Sequence, residues 1–107
     1  MRIIAKRTLS EYLDARQGHK QFQALKTALE AWYRKVKTAH WRNAADIKAT
    51  FATASIVGAE RVVFNIVGNS YRLVVAVDFE KQLVFIKWIG THEEYDRIDV
   101  RTIRYAH

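Results

Sequence analysis

Three side chains late in the chain, His92, Tyr95 and Asp96, are spaced i, i+3, i+4, so one helical turn would set them on a common side. Imidazole, phenol and carboxylate are all proton-transfer groups. Upstream, Asn65, Arg72 and Lys87 lie in segments whose residues alternate as strands do. A guanidinium presents a planar fork that donates two parallel hydrogen bonds to phosphate oxygens, and an ammonium adds a point charge. The combination describes proton transfer beside a phosphate-binding floor. Taken alone, the same residues also fit a solvated outer sheet face with Asp78 as the ion-pair partner, and His92 beside Glu93 and Glu94 also fits an ordinary surface position.

The elements that must position these groups begin after residue 60, where the hydrophobic period becomes two. Segments 61–67, 71–79 and 83–90 are rich in Val, Ile and aromatic residues. Gly68-Asn69 joins the first two, with Gly at the first central position of a hairpin turn. Lys81-Gln82 joins the last two. These turns set Val67 opposite Ser70 and Asn65 opposite Arg72, then Glu80 opposite Leu83 and Ala76 opposite Lys87. One face then carries Phe64, Ile66, Tyr71, Leu73, Val75, Val77, Val84, Ile86 and Trp88, and should pack on helices. The other carries Val63, Asn65, Val67, Arg72, Val74, Ala76, Asp78, Phe85, Lys87 and Ile89. A one-residue slip in either turn would break this alignment.

Residues 1–6 read as a short strand. Thr8, with Glu11 three residues on, has the spacing of a capping box, and Gly18 is a plausible stop. The helix over about 20–38 is the clearest element: Phe22, Leu25, Leu29, Trp32 and Val36 form an apolar stripe, with Lys20, Lys26, Lys35 and Lys37 mostly off it. Asn43 can cap a short third helix that sets Ile47 and Phe51 one turn apart. The expected fold is one α+β domain over 1–107: a small antiparallel sheet, made of a short N-terminal strand and a three-strand C-terminal meander, with two to three helices on one face.

Composition narrows the function classes. The 107 residues contain no cysteine, so disulfides and thiolate metal sites are excluded. The four histidines are scattered without ligand spacing; His19 reads as a loop residue and His40 as a structural one at a helix junction, so no metal or cofactor is expected. Nothing approaches the roughly 20 apolar residues of a membrane span, and the expectation is a soluble, cytoplasmic protein with no membrane partner. Residues 1–54 hold eleven Lys/Arg against four Asp/Glu, so the whole net charge of +7 resides there; residues 55–107 hold seven of each. RNA or an acidic protein is the natural partner of such a surface.

The stretch Val63-Phe64-Asn65-Ile66-Val67-Gly68-Asn69-Ser70-Tyr71-Arg72-Leu73, followed by Gly90-Thr91-His92-Glu93-Glu94-Tyr95-Asp96, resembles the HigB family of mRNA-cleaving toxins within the RelE-like group. Arg2-Ile3-Ile4, Ala31-Trp32, Trp41 and Phe51 fit as well, so the resemblance spans nearly the whole chain. It implies a RelE-like α+β fold and a toxin that cuts mRNA on the ribosome. It further implies inhibition by a helix-turn-helix antitoxin of the HigA type, with operator DNA reached only through that antitoxin.

Cleavage of RNA without metal needs the 2′-hydroxyl deprotonated, the 5′-oxygen protonated and the phosphorane's charge stabilised, with in-line geometry. Arg72 is assigned to the phosphate in the transition state, with His92, Tyr95 and Asp96 completing the catalytic set. Asn65, Asn69, Lys87, Arg101 and Arg104 are the RNA-binding set; Arg101 and Arg104 belong to a basic tail with Tyr105 and His107. Which group is acid and which base stays open. Two other readings use the same residues: a non-catalytic module that binds RNA or the ribosome, and a transcriptional co-regulator acting with a DNA-binding partner.

Overall fold

The computed structural model describes residues 1–58 and 60–103. The elements run β1 (Arg2–Ile4), α1 (Lys6–Asp14), α2 (Phe22–Thr38), α3 (Ala44–Thr50), β2 (Ser55–Val57), β3 (Arg61–Ile66), β4 (Tyr71–Asp78), β5 (Leu83–Thr91) and α4 (His92–Tyr95). The strands form one sheet in the order β1-β5-β4-β3-β2. The α+β class and the meander are as expected. Three parts go beyond that expectation: β1 pairs with β5 in parallel, so the sheet is mixed; β2 adds an edge strand; and the segment carrying His92 is a fourth helix.

The stripe on α2 buries Leu25, Leu29, Trp32 and Val36 against the sheet. Phe64 sits at the centre of that contact, with Trp32 edge-on at 5.4 Å, Phe51 edge-on at 4.9 Å and Trp41 stacked at 6.4 Å. Asn43 caps α3 as its type suggests, its Oδ1 accepting from Asp46 N at 3.1 Å. Two hydrogen bonds from Arg42 hold the Asp46 carboxyl below the usual carboxylate range. Replacing Asn43 by alanine should cost about 1 kcal/mol in thermal or denaturant unfolding, because one orphan N–H of the first turn loses its acceptor. Thr8, by contrast, is not a cap: α1 starts at Lys6 after Ala5 in a left-handed conformation (φ 70°), and Thr8 is buried inside the helix. The N-terminal ammonium of Met1 donates to the Ala39 carbonyl at 2.6 Å, placing positive charge at the end of α2 where the helix dipole favours it.

The β3–β4 hairpin has the expected register. Asn65 pairs with Arg72, Ser70 N donates to the Val67 carbonyl at 3.0 Å, and Gly68 takes a positive φ of 59°. The β4–β5 register is different. Asp78, not Glu80, faces Leu83, and Ala76 faces Phe85 rather than Lys87. Asp78 Oδ1 accepts from Lys81 N at 2.9 Å and so closes the turn instead of pairing with Arg72 or Lys87. A two-residue offset keeps every side chain on its face, but a bulge follows. Val75 pairs with Ile86 and Val74 with Trp88, which leaves Lys87 without an opposite number. Beyond it the faces invert, so Ile89 (1% exposed) enters the helix-side core and Trp88 (9%) lies on the other face.

That other face is not bare. Val63, Val74 and Trp88 are covered by Tyr95, Ile98, Val100 and Ile103, so α4 and the segment to residue 103 fold back across the sheet. Arg61 fastens the segment: its Nη1 donates to the Ile103 carbonyl at 2.8 Å and to that of Val100 at 3.4 Å. Arg101 stays exposed on this segment, whereas Arg104, Tyr105 and His107 lie outside the described residues. Among the described residues, no helix is long and apolar enough to cross a membrane.

Candidate active site

The turn after β3 creates the first half of the site. Asn69 offers its Oδ1 and its carbonyl side by side, and Arg72 folds back to meet both: Nη2 to Oδ1 is 2.6 Å and Nη1 to the carbonyl is 3.0 Å. A third contact, from Nη1 to the Tyr71 carbonyl, is longer at 3.4 Å. The guanidinium is therefore locked in orientation while the residue remains half-buried at the surface. Asn65 stands directly across from it on β3.

β5 supplies the second half. Gly90 lies opposite Arg72 and Thr91 opposite Tyr71, so α4 emerges beside the hairpin turn. Thr91 and Glu94 form a reciprocal capping box: Thr91 Oγ1 accepts from Glu94 N at 3.2 Å, and Thr91 N donates to Glu94 Oε1 at 2.8 Å. His92 N donates to the Ser70 carbonyl at 3.0 Å, which ties the helix to the hairpin. The helical turn brings Tyr95 onto Trp88, ring centres 6.4 Å apart, with the Arg72 guanidinium 5.9 Å from the Tyr95 ring. A cation over an aromatic face is attracted by the ring quadrupole, so Tyr95 gives Arg72 a second fixed neighbour.

Asn65, Asn69, Arg72 and Tyr95 are thus brought together, and His92 sits one residue past the strand end beside them. His92 has its side chain 43% exposed and its Nε2 3.8 Å from the Glu93 carboxylate. Asp96 caps the end of α4, its backbone N–H donating to the His92 carbonyl at 3.3 Å. Lys87 stands apart. Its ammonium lies 5.4 Å from the Phe85 ring, towards the end of β5 remote from Gly90. Four residues of strand separate the Phe85 and Gly90 levels, about 13 Å at the usual rise. Arg101 is on the covering segment, its N–H donating to Asp99 Oδ1 at 3.0 Å.

Sequence reasoning missed a groove that adjoins this site. Arg16, His19 and Gln21, from the loop between α1 and α2, line one groove with Asn69, Ser70, Tyr71, Thr91, His92 and Glu93. The link that fixes this loop is Tyr71 Oη donating to Gln21 Oε1 at 3.1 Å, a contact across 50 residues of sequence. Among the described residues, no group of three or more His, Asp or Glu side chains is arranged to hold a metal ion.

The sequence model of the HigB toxin family, described as the RelE-like toxic component of a toxin–antitoxin system, matches residues 25–98. The chain belongs to the HigB toxin family. The matched span runs from α2 to just past α4 and so includes Arg72, His92, Tyr95 and Asp96. Among curated proteins, the chain is similar to the mRNA interferase toxin HigB of Escherichia coli K12, with 29% identity over 98 residues, covering 90% of this chain and 88% of the relative. The proteins named mRNA interferase HigB in Escherichia coli O157:H7 and Shigella flexneri match to the same extent. The α1–α2 loop with Arg16 and His19 precedes the part that the HigB family model matches.

Proposed function

We propose that this HigB-family chain is an endoribonuclease that cuts translated mRNA on the ribosome, acts in the cytoplasm as the toxin of a toxin–antitoxin pair, and is neutralised by a helix-turn-helix antitoxin of the HigA type. The observation that carries the reading is the Arg72 guanidinium, bound at two points to Asn69 and flanked by Tyr95, with His92 on the adjoining turn. The similarity to proteins named mRNA interferases supports the choice of substrate.

In the proposed reaction the 2′-oxygen attacks phosphorus and the bond to the 5′-oxygen breaks, giving a 2′,3′-cyclic phosphate and a 5′-hydroxyl. The 2′ proton passes to a base and the departing 5′-oxygen takes a proton from an acid. His92, Tyr95 and Asp96 are the groups for these transfers. Arg72 meets the negative charge that grows on the non-bridging oxygens. A cation already oriented by Asn69 needs little rearrangement as that charge develops, which is where electrostatic catalysis gains most. Asn65, Asn69, Lys87 and Arg101 are the RNA contacts along the chain.

Induced expression in a bacterial host, followed by mapping of mRNA 5′ ends, tests the reading. Wild type should arrest growth and cut within translated regions, and Arg72→Ala should do neither. Co-expression of the antitoxin should restore growth. Normal growth with intact mRNA, from soluble wild-type protein and without antitoxin, would leave a binding module as the better account. Affinity for RNA should also drop steeply with salt, the logarithmic slope rising by about 0.7 for each phosphate contacted on a single strand. A salt-insensitive affinity, measured by anisotropy between low and moderate ionic strength, would remove phosphate contacts from the reading.

A further inference from the structure

The groove between the α1–α2 loop and α4 shares Asn69 and His92 with the site above, but its Arg16 and His19 are unused by the chemistry. Its volume of about 440 Å³ lies within the roughly 300–1,000 Å³ of ligand clefts. Its walls carry one guanidinium (Arg16), two imidazoles (His19, His92), hydroxyls of Ser70 and Thr91, and a single carboxylate, Glu93. Positive charge and hydroxyl or amide partners in one open groove suit an anionic, hydroxylated ligand.

Arg16 is held for such a ligand. Its guanidinium lies against the Tyr12 ring, 4.1 Å from the centre, and Tyr12 in turn meets Tyr71 edge-on at 6.3 Å. Arg16 Nε and Tyr12 Oη are both buried without a hydrogen-bond partner. Burial pushes the Tyr12 phenol above its ordinary range, so it stays neutral and cannot serve Arg16 as an anion. A buried N–H without an acceptor is a cost that the folded chain leaves uncompensated at Arg16. His19 is oriented as well. Its Nδ1 accepts from Gln21 N at 3.2 Å, which leaves the proton of the neutral ring on Nε2. Gln21 is the residue bonded to Tyr71 Oη, so the loop is anchored to β4 next to Arg72. Asn69 joins the two halves: it lines this groove and holds Arg72.

We propose that the groove between the α1–α2 loop and α4 seats an RNA backbone phosphate adjoining the one held by Arg72, with Arg16 as its cation and His19 Nε2 as a hydrogen-bond donor. The inference rests on the endoribonuclease reading. It names residues in the α1–α2 loop, outside the span the family model matches.

The test measures binding of a labelled single-stranded RNA oligonucleotide across a salt series for wild type, Arg16→Ala, Arg16→Lys, His19→Gln and Arg72→Ala, with melting curves for each. Arg16→Ala should weaken binding about 10- to 100-fold, the scale of a charge-assisted contact. It should also flatten the logarithmic salt slope by about 0.7. Arg16→Lys should recover most of the slope, which a loss of Tyr12 packing alone would not predict. His19→Gln should cost about 2- to 10-fold. An Arg16→Ala slope equal to that of wild type, or no salt-dependent binding by wild type, overturns the inference. mRNA cleavage by induced wild type, absent in Arg72→Ala, would leave the endoribonuclease reading standing in either case, and intact mRNA would overturn both.

Discussion

Arg72→Ala should lower the rate of mRNA cleavage by about 10²- to 10³-fold, the loss seen when one preorganised donor to a developing oxyanion is removed. Stability should change little. The side chain is half-buried and its partners are the Asn69 amide and two turn carbonyls, all of which water can reach once it is gone. Arg72→Lys separates charge from geometry. An ammonium keeps the positive charge, yet it cannot span Asn69 Oδ1 and the Asn69 carbonyl and still present a second pair of donors to phosphate. We expect lysine to recover only a minor part of the lost rate. Single-turnover cleavage of ribosome-bound mRNA is the measurement. A rate for Arg72→Ala within about threefold of wild type, where a direct phosphate contact is worth at least an order of magnitude, would remove Arg72 from the reaction.

Gly90→Ala should be the most disruptive small substitution in the sheet. A Cβ on Gly90 would stand 2.5 Å from Trp88 Cζ2 and 2.9 Å from Glu94 Oε1. Neither neighbour can withdraw freely. Trp88 is packed among Val63, Val74 and Tyr95, and the Glu94 carboxylate is half of the capping box that begins α4. Overpacking costs about 1–3 kcal/mol and a lost cap about 1 more, so a loss of about 2–4 kcal/mol is expected. For a domain of this size that is a fall in melting temperature of about 10–25 °C. Cleavage should fail too, because Tyr95 and His92 are carried by the displaced helix. A melting temperature within a few degrees of wild type would show that the ring and the carboxylate have somewhere else to go.

What was legible in the sequence was local. The α2 stripe, the Asn43 cap and the pairing of Asn65 with Arg72 follow from spacing or from one short turn. The shared turn of His92 and Tyr95 was legible for the same reason. The β5 strand was not. From Leu83 to Ile89 both faces are apolar apart from Lys87, so no polar marker announces where the bulge inverts the pattern, and Trp88 and Ile89 exchange sides. That bulge also leaves Lys87 over Phe85 instead of near Arg72. The groove wall from Arg16 and His19 was hidden for a different reason. It depends on the Tyr71–Gln21 hydrogen bond, and nothing in a local pattern reports a contact at such separation. Thr8 shows the opposite failure: a capping spacing was present, but the chain entered α1 three residues earlier through Ala5, and Thr8 went into the core.

The parallel pairing of β1 with β5 sets the order of events while the protein is being made. Arg2 pairs with Leu83, so β1 waits about 80 residues of synthesis for its partner. The groove and the Arg72 cluster are completed only by Thr91, His92 and Tyr95, which emerge later still. A nascent copy therefore carries the helices and much of the positive charge well before it has an assembled site. No complete site exists until synthesis of the domain is nearly done.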